Sequence, residues 1–227
     1  MPEFLPRVEI LPAAQKRLWQ ELSAVPKDFV LYGGTALALH LGHRHSEDFD
    51  FFGSRSFDVE RLQAAIPFLA GATVVQRARD TLTAIVERSG PVKVSFFGVP
   101  ELPRLRSPHV VKENGLQVAS LLDLAGTKAS VVQTRAEARD YTDMDALMRL
   151  GNTDLPTALA AAGRIYGKAF NPEITLKALC YFEDGSLPEL PGDLKLRLAT
   201  AAREVDLDHL PDLEIAQARN RDHGQEL

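Results

Sequence analysis

The chain has 227 residues, 45% of them apolar and 25% charged, with a formal net charge of −5. This is ordinary globular composition, enough for one or two domains with a sizeable core. No apolar run reaches the ~18 residues of a membrane span, and net acidity argues against a dedicated binder of duplex DNA, which is usually basic. An RNA-modifying enzyme stays open, because a local basic cleft can sit on an acidic chain. Residues 102–112 and 127–139 are enriched in Lys and Arg, whereas EVDLDHLPDLE near the C-terminus is acidic. The N-terminal MPEFLPRVEILPAAQKRLW mixes charges and prolines where a signal peptide needs an unbroken apolar stretch, so a cytoplasmic protein is expected. The single cysteine, Cys180, excludes an internal disulfide and a cysteine-based zinc site, and reads as a small core residue within LKALCYF.

In chain order, residues 13–24 place Leu18, Trp19 and Leu22 at helical spacing, and Pro26 ends that helix. Residues 28–33 form a short apolar strand broken at Gly33-Gly34; Thr35 can cap a following helix that closes at Gly42. Residues 48–52 (DFDFF) read as a second strand, and 57–69 as a helix ending near Pro67. The stretches 72–78, 81–88 and 92–98 are rich in Val, Thr, Ile and Phe and are divided by turn residues, which predicts an antiparallel meander. From residue 119 the period changes to helical, over 119–135, 140–150, 154–166, 172–182 and 192–205. The expectation is an α+β fold: a mixed β-sheet core with flanking helices over residues 1–110, then a helical domain over 111–227, with the boundary in the proline-containing stretch 100–118.

Two local features carry chemistry. Side chains alternate along a strand, so Asp48 and Asp50 share one face and Phe49 and Phe51 the other. Two like charges on one strand face repel, and a divalent cation with carboxylate ligands would relieve them. The bland alternative is a solvated strand edge, but the flanking phenylalanines make the strand part of a core, so its acidic face lines a cleft. Gly33-Gly34-Thr35 follows a strand and opens a helix; glycines let backbone N–H groups approach a phosphate, and a helix N-terminus favours an anion. A triphosphate over that turn, bridged to metal on Asp48 and Asp50, is the geometry of nucleotidyl transfer.

The segment FVLYGGTALALHLGHRHSEDFDFF resembles the first motif of the AbiEii/AbiGii toxin family of nucleotidyltransferases, within the DNA polymerase β-like superfamily. Residues 91–97 (PVKVSFF), 123–128 (DLAGTK) and 135–147 (RAEARDYTDMDAL) resemble its later motifs. The resemblance implies a nucleotidyltransferase core, a helical C-terminal region, Mg²⁺ or Mn²⁺, and a nucleoside triphosphate as substrate. It implies a toxin of a bacterial toxin–antitoxin or phage-defence system with a cognate antitoxin, and RNA, specifically tRNA, as acceptor. By position it gives Gly33, Gly34 and Thr35 as the nucleotide cradle, Arg44 and Ser46 as the element before the acids, Asp48 and Asp50 as metal ligands, Lys93 on a later strand, Lys128 near the triphosphate, and Asp143 as an acidic partner. One position departs from the superfamily: Ser95 stands where a third carboxylate is often found, and a serine is no base at neutral pH.

Other candidates weigh less. Lys128 and Arg135, seven apart, share a helix face, and Asp140 and Asp143 share another; function is expected at Asp143 and structure at Asp140. His40, His43 and His45 do not have zinc-site spacing. Arg77, Arg79, Arg104 and Arg106 read as solvated surface. Two rival readings are an acceptor that is a small molecule or protein hydroxyl, and a catalytically lapsed fold serving as a binding module.

Overall fold

The computed structural model describes residues 4–100 and 102–214. Helix α1 (Ala13–Leu18) continues as a 3-10 turn to Ala24 and buries Leu18, Trp19 and Leu22. Strand β1 (Phe29–Tyr32) is buried at all four positions and leads directly into α2 (Gly33–Leu41), which ends at Gly42 with φ 64°. A left-handed residue there is the conformation a C-terminal glycine supplies. Helix α2 starts at Gly33, with Tyr32 in the cap position, so Thr35 lies inside it.

Strand β2 (Asp48–Gly53) alternates half-buried and buried residues, as its D-F-D-F pattern requires. Helix α3 (Val59–Ala65) is capped by the Asp58 carboxylate, which accepts the Arg61 N–H. The meander follows as β3 (Thr73–Ala78), β4 (Thr81–Glu87) and β5 (Pro91–Gly98), antiparallel throughout. Two short strands, β6 (His109–Val110) and β7 (Gln117–Val118), precede the helices α4 (Leu121–Val131), α5 (Ala138–Leu150), α6 (Leu155–Tyr166), α7 (Pro172–Ala178) and α8 (Gly192–Glu204).

All seven strands form one mixed sheet in the order β3-β4-β5-β2-β1-β7-β6. The meander therefore attaches through its last strand: β5 lies parallel to β2, with Asp48 opposite Lys93 and Asp50 opposite Ser95. β1 flanks β2 on the other side, antiparallel, with Tyr32 opposite Asp50. The back of β2 and β5 is dry. Phe49, Phe51 and Phe96 are fully buried there, and Phe51 stacks on Phe96 with centroids 5.1 Å apart. The stretch 100–118 is tied to both halves: β6 and β7 extend the sheet, and Asp123 of α4 accepts the Leu105 and Arg106 N–H groups at 2.7 and 3.2 Å. Among the described residues the main apolar core draws on residues from Leu11 to Ala202, and Leu105, Ala161 and Ile165 form a small second cluster.

Helix α4 meets α5 and α6 and also touches α2, so the helical half is built onto the edge of the sheet's open face. Cys180 is exposed rather than in the core; the neighbouring Leu179 takes the buried position. The α4–α6 contact is close because Gly126 has no side chain: a Cβ there would lie 2.8 Å from Ile165 Cδ1 and 2.9 Å from the Ala161 backbone carbon. Gly126→Leu should force these helices apart and cost about 1–3 kcal/mol, read as a lower urea midpoint at unchanged slope.

Candidate active site

Side chains on the open face of the sheet and on α4, α5 and α6 enclose a cleft of about 760 Å³, within the ~300–1,000 Å³ range of small-molecule sites. Its lining includes Gly33, Gly34, Arg44, Ser46, Asp48, Asp50, Lys93, Ser95 and Lys128. The strand alternation inferred from the sequence thus aims both acidic residues of β2 into one space. Lys93 holds Asp48 at 2.8 Å. Burial raises the Asp50 carboxyl above its ordinary range, and the neighbouring Asp48 charge raises it further, against the pull of Lys93, Ser95 and Lys128. Two carboxylates side by side on one face of β2 make a donor set that fits a divalent cation. Among the described residues no three His, Cys, Asp or Glu side chains gather around one point. An ion held here would take two protein carboxylates and complete its shell from other oxygens, as magnesium commonly does.

Both glycines at the start of α2 are sterically required. Gly33 has φ +73°, and a Cβ on it would lie 3.1 Å from Asp50 Oδ2. A Cβ on Gly34 would lie 2.6 Å from Arg44 Nη2 and 2.9 Å from Ser46 Oγ. Removing both side chains lets the helix start, the guanidinium, the serine hydroxyl and the Asp50 carboxylate approach one another. Thr35 does not point its hydroxyl into this space. It is buried and donates to the Asp48 carbonyl at 2.5 Å, locking α2 to β2.

The two acids of α5 are placed the opposite way from expectation. Both are fully buried, but Asp143 is absent from the cleft lining whereas Asp140 contributes to it. Arg44 grips Asp143 with two bonds of 2.7 Å, His43 Nε2 lies 2.7 Å away, and Lys128 Nζ 2.6 Å. With both oxygens engaged and no opening to the cleft, Asp143 cannot take a proton from an acceptor. Burial works to raise its carboxyl, but the His43 bond, the Lys128 charge and Arg44 outweigh it and hold the group well below the usual carboxylate range. Lys128 is shared with Asp140 at 2.6 Å, and Asp140 also accepts from Arg135 at 2.7 and 3.0 Å. Helix α4 stops at Val131, so Lys128 and Arg135 meet through Asp140 rather than along one helix face. Three cations, Arg44, Lys128 and Arg135, face two carboxylates, leaving this wall positive beside the Asp48–Asp50 pair.

The remaining candidates are spent elsewhere. His40 bonds the Ala119 carbonyl at 2.8 Å, and burial pushes its imidazole down to about 4. His45 bonds the Ile10 carbonyl. Arg77 pairs with Glu60 and Gln63, and Arg79 with Asp80. Arg104 and Arg106 donate to backbone carbonyls. Ser95 is buried on the cleft floor and accepts a long 3.3 Å bond from the Thr83 hydroxyl. Several cleft residues escaped the sequence reading, Thr83, Thr127 and Tyr166 among them; Thr127 sits within a recognised motif, but only tertiary packing aims it inward.

Removing the Asp143 carboxylate would strand buried cationic partners, so Asp143→Ala should cost about 3–5 kcal/mol. Its lowered carboxyl contributes stability that is complete above the unfolded value of about 3.9 and is lost as pH falls below it. Asp143→Asn should start less stable and show a flatter loss between pH 5 and roughly pH 2 than the wild type, measured by denaturant titration across that interval.

Comparison with known proteins agrees with this geometry. An uncharacterized protein of Aquifex aeolicus (strain VF5), aq_aa25, is 33% identical over 159 residues, covering 69% of this chain and 75% of that one. Among solved structures, MenT4, a nucleotidyltransferase toxin from Mycobacterium tuberculosis H37Rv, superposes with a TM-score of 0.55 at 18% identity, over 86% of this chain and 83% of its own. A chain from H. pylori assigned as a nucleotidyltransferase gives 0.51 at 19% identity, over 84% and 92%. At these identities the two structures speak for the fold. The family match is direct and spans residues 17–221, and it places the whole cleft inside its bounds: the chain belongs to the AbiEii nucleotidyl transferase toxin family of type IV toxin–antitoxin systems and is a nucleotidyltransferase.

Proposed function

We propose that the cleft transfers a nucleoside monophosphate from a nucleoside triphosphate to a hydroxyl of RNA, specifically tRNA, with Asp48 and Asp50 as the ligands of Mg²⁺ or Mn²⁺. The observation that carries the reading is the placement of these two carboxylates on the cleft side of β2, against the glycine-opened start of α2. When bound, the metal supplies charge neutralisation at the phosphate oxygens. Gly33 and Gly34 offer the unpaired N–H groups of the α2 N-terminus to the triphosphate, with Arg44 and Ser46 beside them. Lys93, whose side chain is 41% exposed, is free to exchange Asp48 for a phosphate oxygen. The acceptor oxygen bonds to the α-phosphorus and releases its proton to solvent water, while the bond from that phosphorus to the oxygen bridging to the β-phosphate breaks, and pyrophosphate leaves toward the positive wall of α4 and α5. Lys128 acts there at short range through its field, since Asp140 and Asp143 hold its ammonium. Thr35 and Asp143 are positioning residues: one fixes the Asp48 backbone and the other fixes Arg44.

An RNA acceptor is supported by the exposed cations at the cleft, Lys93, Arg135 and Arg139, which suit a polyanion. Membership in a toxin–antitoxin family supports a cognate antitoxin as partner. Among the described residues no helix is long and apolar enough to cross a membrane, which accords with a cytoplasmic site of action.

Purified protein incubated with α-labelled nucleoside triphosphates and Mg²⁺ should label total RNA, and the joint Asp48→Ala, Asp50→Ala replacement should cut the rate by at least about 10²–10³-fold. Label appearing in a protein or small-alcohol pool and not in RNA would overturn the acceptor. Undiminished transfer by the double variant would overturn the site.

A further inference from the structure

The cleft floor changes character along its length. On β2 the cleft-facing residues run Asp48, Asp50, Phe52, and on the parallel β5 they run Lys93, Ser95, Phe97. The register sets Lys93 beside Asp48, Ser95 beside Asp50 and Phe97 beside Phe52, so polarity falls steadily in the strand direction. At the far end the Phe52 and Phe97 rings lie 5.1 Å apart, tilted by 39°, and Tyr32 meets Phe52 at 5.2 Å. Leu102 and Tyr166 of α6 complete that end. Phe52, Phe97, Leu102 and Tyr166 are all only partly buried, unlike the phenylalanines on the back of the same strands, which are sealed.

A fold that needed these rings only for packing would cover them, because each partly exposed ring forgoes some of its burial free energy. Instead they form an apolar, π-faced recess continuous with a cationic and carboxylate-lined one. A nucleoside triphosphate has the matching layout, with anionic phosphates at one end and a flat aromatic base at the other. Stacking on aromatic side chains is a strong sequence-tolerant way to hold a base.

We propose that the Phe52–Phe97–Tyr166 end of the cleft is the nucleobase subsite of the triphosphate substrate, with Leu102 closing its side. The proposal rests on the triphosphate reading above and adds the residues that hold the base. Phe52 and Phe97 carry no hydrogen-bonding side-chain groups, so they offer the base their ring faces, and they are the next cleft-facing pair along the strands after Asp50 and Ser95.

The test is calorimetric titration of the full-length protein with Mg²⁺ and either an α,β-methylene nucleoside triphosphate or inorganic tripolyphosphate. Wild type should bind the nucleotide more tightly than tripolyphosphate. Phe97→Leu and Tyr166→Leu should each weaken nucleotide binding about tenfold, leaving tripolyphosphate binding at the wild-type level; Tyr166→Phe, which keeps the ring, should retain nucleotide affinity. Equal wild-type affinity for the two ligands overturns the subsite while leaving the phosphate site intact. Binding of neither ligand to wild type sinks the triphosphate reading itself. Variants that lose both ligands equally, or that keep nucleotide affinity and raise only the KM for RNA, overturn the assignment.

Discussion

A single enclosed carboxylate sets the geometry of the cleft. Asp143 projects from α5, takes Lys128 from α4, and takes His43 and Arg44 from the loop between α2 and β2. Three segments far apart in sequence are thereby pinned at one point. A charge this deeply buried is tolerable only with its partners in place, since each partner removed leaves an unneutralised ion in a poor solvent. Arg44 in turn lies against Gly34 and Ser46, which adjoin the acidic strand. The fine placement of the cleft walls therefore follows from an ion cluster whose central carboxylate lies outside the cleft.

The same cluster biases the electrostatics. Its carboxylates are outnumbered by cations, and the excess faces the Asp48–Asp50 pair across the cleft. On the proposed mechanism a triphosphate between them would meet donors and positive charge on one side and the two acids on the other. Preorganised charge of this sort needs no rearrangement when the bond to the leaving pyrophosphate breaks.

Much of this was written in local pattern. The alternation of Asp48, Phe49, Asp50 and Phe51 is a period-two signal that survives any tertiary context, because a one-residue slip would bury both acids among phenylalanines. The Gly33-Gly34 break and the β3–β5 meander are equally local. What could not be read depends on pairings between distant segments. Nothing near Val94 says that β5 lies parallel to β2 instead of at the sheet edge. Asp140 and Asp143 sit three apart on one helix and are both buried, and only the arrival of Arg44 from a hundred residues upstream marks out the one that lies off the cleft. Thr35 looked like a cap because threonine suits that role, yet the neighbouring β2 carbonyl offered its hydroxyl a closer partner. Phe52 and Phe97 were legible as strand residues, but a cleft-facing ring and a core-facing ring share one sequence signature.

The rim strand β3 has a further bearing. Its pairing with β4 shifts between Val74 and Gln76, a bulge that leaves Val75 without a ladder partner. Alternation fails at that point, and Val75 and Gln76, although adjacent, both contribute to the cleft wall. β3 is also one of the two edge strands, and most of its residues are exposed. A bulged margin pairs poorly with a second sheet, so this border stays open to solvent. It gives the family a stretch where substituents can be exchanged with little disturbance to β2, β5 or the ion cluster. Divergence in what the mouth of the cleft admits can accumulate here while the machinery beneath it stays fixed.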